Sequence, residues 1–318
     1  MTLDTFRIKQ QLGFVFPGQG SQSVGMLSEL AQAYPVVAET FAAASEALAY
    51  DLWQLVQQGP AEELNRTDRT QPAMLAAGVA VWRVWNERQG PVPAVMAGHS
   101  LGEYTALVCA GALDFATAVR LVAERGRFMQ EAVPAGEGAM AAILGLDDEA
   151  VRHLCETEAG EDVLAAVNFN SPGQVVIAGH AAAVARAIDA ARAAGARRAV
   201  LLPVSVPSHC QLMRPAAERM AALLAATDFR VPQVPVINNV DVVAEEDPQR
   251  IREALVRQLY SPVRWVETIQ AMRSRGVTTM VECGPGKVLA GLNRRIDRAL
   301  ETLPVHDPAT LEKALSSE

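Results

Sequence analysis

Residues 92–111 read VPAVMAGHSLGEYTALVCAG. The run 92–97 is short and apolar, as a buried strand is, and residues 101–110 carry a helical pattern. Between them stands Gly98-His99-Ser100-Leu101-Gly102, the G-x-S-x-G of a nucleophile elbow. A serine at so sharp a strand-to-helix turn is pushed above the sheet, and the flanking glycines remove side chains that would clash there. The turn also sets Ser100 near a helix N-terminus, where N–H groups and the positive dipole end can stabilise an oxyanion. About 0.1 such pentapeptides are expected by chance in a chain of this length at ordinary Gly and Ser usage. The flanking strand and helix, more than the spacing, therefore carry the reading of Ser100 as a nucleophile; the competing reading is tight packing at a corner.

Outward from the elbow, strands alternate with helices. Residues 12–16 read as a strand closed by Pro17 and Gly18, followed by helical patterns at 24–33, 36–48 and 72–89. A further helix is expected at 115–132, and strands at 235–238 and 279–282. This alternation favours a parallel sheet with helices on both faces. Residues 138–203 break the pattern. A strand at 139–144, a helix at 147–158, strands at 163–168 and 174–178 joined by a turn at 170–173, a helix at 180–194 and a strand at 198–204 (or as far as 206) give the order β-α-β-β-α-β, a ferredoxin-like signature. The expected fold is therefore α/β: a large α/β-hydrolase-like domain with a parallel sheet (residues 1–137 and 204–318) carrying an inserted ferredoxin-like domain (138–203).

Composition sets the outer limits. Half of the 318 residues are apolar, enough to offset ordering entropy, which excludes a disordered chain. The formal charge of −8 makes nucleic acid an unexpected partner, because a phosphate backbone needs a Lys/Arg surplus. No apolar run reaches the roughly 18 residues of a membrane helix, so no membrane partner is expected. The N-terminus holds Asp4 and no apolar segment of a secretory signal. Cys109, Cys155, Cys210 and Cys283 are far apart, which argues against a disulfide framework or a metal site and for a reducing, cytoplasmic setting.

A serine nucleophile needs a base. Of five histidines, His99 adjoins Ser100 and should point away from it, His153 and His180 fall on the inserted domain, and His306 lies in a polar tail. His209, in V-P-S-H-C, follows a strand directly, and strand-end loops are where α/β folds assemble sites. The bland alternative makes His209 a cap for a helix starting near Gln211. No Asp or Glu stands out as a third member. Two glycine-rich stretches carry no nucleotide signal: Gly18-Gln19-Gly20 lacks the third glycine of a dinucleotide fingerprint, and GPGK at 284–287 lacks P-loop spacing.

Six co-linear motifs then add up to a family. GFVFPGQGSQ (13–22), GHSLGEYTALVCAG (98–111), ERGRFMQ (124–130), NFNSPGQVVIAG (168–179), PVSVPSHC (203–210) and ECGPGKVL (282–289) together resemble the malonyl-CoA:acyl carrier protein transacylases of bacterial fatty-acid synthesis. The resemblance implies that Ser100 attacks the malonyl thioester and that His209 is the general base, its imidazole oriented by a main-chain carbonyl near Gln258 instead of a carboxylate. It implies an oxyanion hole from the N–H groups of Leu101 and Gln19. Arg125 would form a bidentate pair with the malonyl carboxylate, a task that suits a planar guanidinium and not Lys; Arg127 is the surface arginine of that helix. Gln71 and Met129 are expected near the acyl group, and Asn168 and Asn170 at the interdomain turn. Related modular synthase domains carry an aromatic residue before the histidine where this chain has Ser208; the single-domain bacterial enzymes share the serine, so malonyl stays the expected group and only its strictness over methylmalonyl is left open.

The implied reaction is ping-pong, with malonyl-CoA as substrate, no resident cofactor, and an acyl carrier protein as partner to a monomeric enzyme. Carriers are acidic, so a basic rim is expected on this acidic protein: Lys287, Arg294, Arg295 and Arg298 at helical spacing, with Arg197 and Arg198 on the inserted domain. The rival readings are a serine esterase or thioesterase on the same elbow, and a non-catalytic carrier-binding module.

Overall fold

The computed structural model describes residues 8–204 and 206–317. The N-terminal residues 1–7, and Ser205 within the stretch expected as strand to 206, lie outside the described residues. In chain order the elements are β1 (Ile8–Phe16), α1 (Ser28–Ala33), α2 (Pro35–Leu48), α3 (Leu52–Gln58), α4 (Ala61–Leu64), α5 (Thr67–Glu87), β2 (Val92–Gly98), α6 (Gly102–Cys109), α7 (Phe115–Ala132), β3 (Gly138–Leu144), α8 (Asp148–Ala159), β4 (Leu164–Ser171), β5 (Gln174–His180), α9 (Ala181–Ala193), β6 (Arg198–Leu201), α10 (Arg214–Ala225), β7 (Val236–Ile237), α11 (Pro248–Gln258), α12 (Trp265–Ser274), β8 (Thr279–Cys283), α13 (Val288–Ile296), β9 (Glu301–Val305) and α14 (Pro308–Ser316).

Five strands form a parallel sheet in the order β7-β2-β1-β8-β9. Its strands are apolar on both faces, as burial between helix layers requires. Side-chain alternation divides them: Phe14, Phe16, Met96 and Val281 join the core under α5, α6 and α7, while Val15, Val95, Ala97 and Met280 face α12 and α13. The other sheet is antiparallel, β4-β5-β3-β6, and follows the chain order β3-α8-β4-β5-α9-β6. α8 and α9 pack Val151, Leu154, Val184 and Ile188 onto its Ile143, Val175 and Ile177. The molecule is thus a mixed α/β fold with one parallel and one antiparallel sheet.

Several expected boundaries move. The helix expected from Pro72 begins at Thr67, with Pro72 inside it. A proline within a helix costs about 3 kcal/mol, but α5 is buried along nearly its whole length, and its packing outweighs one missing N–H. The pattern at 24–33 is helical only from Ser28. Asn170 belongs to β4, leaving a two-residue turn at Pro172-Gly173. β6 stops at Leu201 because Pro203 has no N–H to give and Val204 turns its own N–H back to the Leu202 carbonyl (2.8 Å). The polar tail after Asp307 is a helix with a capping box, in which the Asp307 carboxylate accepts from the Thr310 N–H (2.7 Å).

Candidate active site

The elbow is held shut by backbone approach. A Cβ on Gly98 would lie 1.8 Å from the Gly102 carbonyl carbon, and one on Gly102 would lie 2.1 Å from the Phe16 carbonyl oxygen, so both positions demand glycine. Ser100 itself sits at φ +51°, a left-handed conformation that costs a non-glycine residue about 1–2 kcal/mol. Asn239, just past β7, stabilises it: its Oδ1 accepts from the Ser100 N–H (2.7 Å) and its Nδ2 donates to the Gly98 carbonyl (2.7 Å). With the Ser100 N–H so committed, the N–H of Leu101 is the next donor available to an oxyanion.

His209 is brought to Ser100 by the loop after β6. Its backbone is also left-handed (φ +66°), and its N–H donates to the Leu259 carbonyl (3.0 Å), tying the loop to the end of α11. The side chain is buried, with Nε2 2.8 Å from Ser100 Oγ and Nδ1 2.7 Å from the Gln258 carbonyl oxygen. A carbonyl can only accept, so Nδ1 carries the proton and the Nε2 lone pair faces the hydroxyl. Burial, and then the positive charge of Arg125, push the imidazole down to about 3, so the ring is neutral and able to accept a proton. His209 is therefore not a helix cap; the short 3-10 turn at Gln211–Met213 is preceded by Cys210.

Arg125 lies on the inner face of α7 and is 1% exposed. Its Nη1 donates to Gln71 Oε1 (2.9 Å), and its Nη2 donates to Gln258 Oε1 (2.9 Å) and to Ser100 Oγ (3.3 Å). The guanidinium sits 5.5 Å from the Tyr104 ring centre. Arg127 lies outside, paired with Glu124 and Glu131. A buried guanidinium with two neutral oxygen partners within hydrogen-bond reach of the serine is set to receive an anion, since removing such a charge from water is otherwise costly.

Two residues of this network escaped the sequence. Glu103, buried on the first turn of α6, accepts at Oε2 from the Asn239 N–H (2.9 Å) and from Gln258 Nε2 (2.8 Å). Burial pushes its carboxyl up to about 7 against the opposing pull of those hydrogen bonds. The Gln258 side chain, and not only its carbonyl, belongs to the site, and its Nε2 also donates to the Ser100 carbonyl (3.0 Å). A charged residue inside the apolar helix GEYTALVC was the signal for Glu103; Asn239, in PVINNVDV, gave none beyond its place at a strand end.

Ser100 opens into a cleft of about 130 Å³ between the two sheets. Gln19, Ser100 and His209 line one side; Met140, Asn168 and Leu202 line the other. At roughly 30 Å³ per water this holds a short chain of a few heavy atoms. Asn168 lines this cleft and also bridges β4 to Val263, and Asn170 Oδ1 meets His99 Nε2 (2.8 Å), which turns the His99 ring away from Ser100; both residues thus stand where the antiparallel sheet meets the rest of the chain. Met129 does not line the cleft; its Sδ lies 3.5 Å from Gln71 Nε2, behind the amide that meets Arg125. A larger hollow of about 750 Å³, bordered by Trp82, Arg83 and Phe115, includes none of these site residues. Among the described residues no cluster of His, Cys, Asp and Glu is arranged to hold a metal.

Lys287, Arg294, Arg295 and Arg298 are exposed, as are Arg197 and Arg198. Arg298 falls beyond the end of α13, so it does not share the helical spacing expected of it. Arg295 reaches across to the Gln174 side chain of β5. In the GPGK loop the first N–H groups of α13 are already taken: Leu289 and Ala290 donate to the Glu282 carboxylate (2.9 and 2.8 Å).

A serine whose hydroxyl meets a neutral imidazole, above a parallel sheet and beside a buried arginine, has the chemistry of acyl transfer. The chain belongs to the acyl transferase domain family, which matches residues 13–306. It is 61% identical over 306 residues to a malonyl CoA-acyl carrier protein transacylase of Salmonella typhimurium, a match covering 96% of this chain and 99% of the relative. An acyl carrier protein S-malonyltransferase from Vibrio cholerae has a similar crystal structure (TM-score 0.94, 60% identity, 96% of this chain and 99% of the other). So does a malonyl-transacylase solved in complex with its type II polyketide acyl-carrier protein (TM-score 0.96, 58% identity, 97% of this chain and 100% of the other).

Proposed function

We propose that the protein transfers the malonyl group of malonyl-CoA to the phosphopantetheine thiol of an acyl carrier protein through a malonyl-serine ester. His209 Nε2 takes the Ser100 proton as Oγ attacks the thioester carbon. The N–H groups of Leu101 and Gln19 hold the oxyanion. Collapse breaks the C–S bond, and the imidazolium returns its proton to the departing CoA sulfur. The carrier thiol then gives its proton to His209, attacks the ester carbon and releases Ser100, which recovers the proton. The Gln258 carbonyl fixes the tautomer throughout, while Arg125 grips the free carboxylate of the acyl group. A narrow cleft between a hydrolase-like domain and a ferredoxin-like insertion, divided near residues 138 and 203, limits water during the ester's lifetime. No resident cofactor enters this chemistry. Every group comes from one chain, so a monomer suffices, and four buried, unpaired cysteines suit a reducing cytoplasm.

One observation carries the reading: Ser100 Oγ lies within hydrogen-bond distance of both His209 Nε2 (2.8 Å) and the buried Arg125 (3.3 Å). A plain esterase has no use for that arginine. Incubation with malonyl-CoA followed by mass spectrometry should find a malonyl adduct on the peptide containing Ser100, and Ser100→Ala should abolish it. An adduct elsewhere, or rapid hydrolysis of malonyl-CoA without a carrier, would contradict the proposal.

A further inference from the structure

The Gln258 amide lies between the buried Arg125 guanidinium and the buried Glu103 carboxyl group. Its Oε1 accepts from Arg125 Nη2 (2.9 Å), and its Nε2 donates to Glu103 Oε2 (2.8 Å) and to the Ser100 carbonyl (3.0 Å). A guanidinium only donates, the Ser100 carbonyl only accepts, and Glu103 Oε2 already accepts from the Asn239 N–H, so the amide has one workable orientation. Turning it over would set an NH2 group against the guanidinium and a carbonyl oxygen against the carboxylate. The carboxylate is itself pinned, because the same Oε2 accepts from the backbone N–H of Asn239 (2.9 Å). The chain of contacts thus runs from a backbone anchor through Glu103 and the Gln258 amide to Arg125, whose other terminal nitrogen is held by Gln71 (2.9 Å).

We propose that Glu103 is a positioning residue for acyl-group selection: it fixes the Gln258 amide, and through that amide the Arg125 guanidinium, in the orientation that meets an acyl carboxylate. Glu103 does not hydrogen-bond the serine hydroxyl; it reaches Arg125 through Gln258 and the elbow through Asn239, and because the elbow serves every acyl group alike, a change in the ratio of acyl groups reads the Gln258 route. The proposal rests on the reading that Arg125 grips the acid end of the acyl group. Bidentate recognition needs the fork held within a narrow range of angles, which a guanidinium in a cavity with one partner removed does not keep.

The test compares acylation of Ser100 by malonyl-CoA and by acetyl-CoA, which is shorter and has no carboxylate. In Glu103→Met the ratio of kcat/KM for malonyl over acetyl should fall at least tenfold, with the loss mainly in the malonyl KM. Glu103→Gln keeps a side-chain oxygen that accepts from Gln258 and should restore the ratio to within about threefold of the parent. Gln258→Leu, which keeps the carbonyl that orients His209, should lose the ratio as Glu103→Met does, and the double variant should lose no more than either alone. Equal loss of malonyl and acetyl loading in Glu103→Met, an unchanged ratio in Gln258→Leu, or additive losses in the double variant would each overturn the proposal. Arg125→Ala separates the two levels. If it collapses the ratio while the Glu103 variants do not, the positioning role alone fails; if it leaves the ratio intact, the reading of Arg125 fails with it.

Discussion

Around the carboxyl ends of β1 and β2, Glu103, Arg125, His209, Asn239 and Gln258 are all buried and joined by hydrogen bonds, whereas the core of the antiparallel sheet is built from Ala, Val, Ile, Leu, Phe and one Cys. The first region also holds Ser100 and His209 at positive φ. A buried polar network restricts geometry, because a member that turns leaves a buried donor or acceptor unpaired; here the Arg125 terminal nitrogens are partnered while its Nε is not. An apolar core admits many sequences of similar volume. The parallel-sheet region therefore holds Ser100 and its polar partners in one arrangement, while Met140 and Asn168 of the antiparallel sheet, with Leu202 just past β6, line the same cleft.

The sharpest contrast comes from one substitution on each side. His209→Ala should lower malonyl loading at least about 10³-fold, as loss of a base paired to a serine does, while the protein still unfolds cooperatively. Ile177→Ala, in the core of the antiparallel sheet, should instead cost about 2–5 kcal/mol of stability and leave loading per folded molecule nearly unchanged. Equal damage to loading from both variants, read by rapid-quench adduct formation and by thermal denaturation, would erase the distinction.

A smaller effect is expected where the two regions meet at the surface. Reversing Arg294 and Arg295 to Glu also removes the Arg295 contact with Gln174 of β5. The KM for the acyl carrier protein should rise about three- to tenfold, as two exposed charges permit, with loading from malonyl-CoA much less affected. Equal change in both half-reactions would mean that the rim holds the sheets together and does not receive the carrier.

The smallest effect is a flat pH profile. An ordinary imidazole near 6.5 would be about 3% neutral at pH 5, a roughly 30-fold loss of base. With His209 held down to about 3, kcat/KM for malonyl loading should change less than about threefold between pH 8 and pH 5. Stability carries the matching signature. Below pH 6.5 the unfolded chain binds a proton that folded His209 refuses, so this group destabilises the fold as pH falls toward 3. Glu103, raised to about 7, acts in the opposite sense between 7 and 4.5, because there the folded state holds the extra proton. The two contributions should offset between pH 4.5 and 6.5 and leave only that of His209 below that range; because buried His99 and several ion-paired carboxylates also shift, the difference in thermal melts between the parent and His209→Gln is the measurement that isolates it.

The sequence carried the elbow because its requirements are local. Gly98, Gly102 and Ser100 fall within five residues, and the strand and helix that flank them have distinct apolar patterns. The parallel alternation and the β-α-β-β-α-β order were legible for the same reason. Helices α3 and α4 were not read, although Asp51 caps α3 by accepting from the Gln54 N–H. Nor was the start of α5, since the Pro72 signal outweighed a pattern that continues on both sides of it.

By itself, then, the sequence determined the parallel alternation, the β-α-β-β-α-β order and the sharp serine turn, and its motifs singled out Ser100, His209 and Arg125 as residues that belong together. Only the tertiary structure decided what connects them. Asn239 reaches Ser100 across 139 positions and Gln258 reaches Glu103 across 155. Such contacts leave no periodic trace in either segment, because each polar side chain satisfies a partner that exists only once the parallel sheet has brought the ends of its strands together.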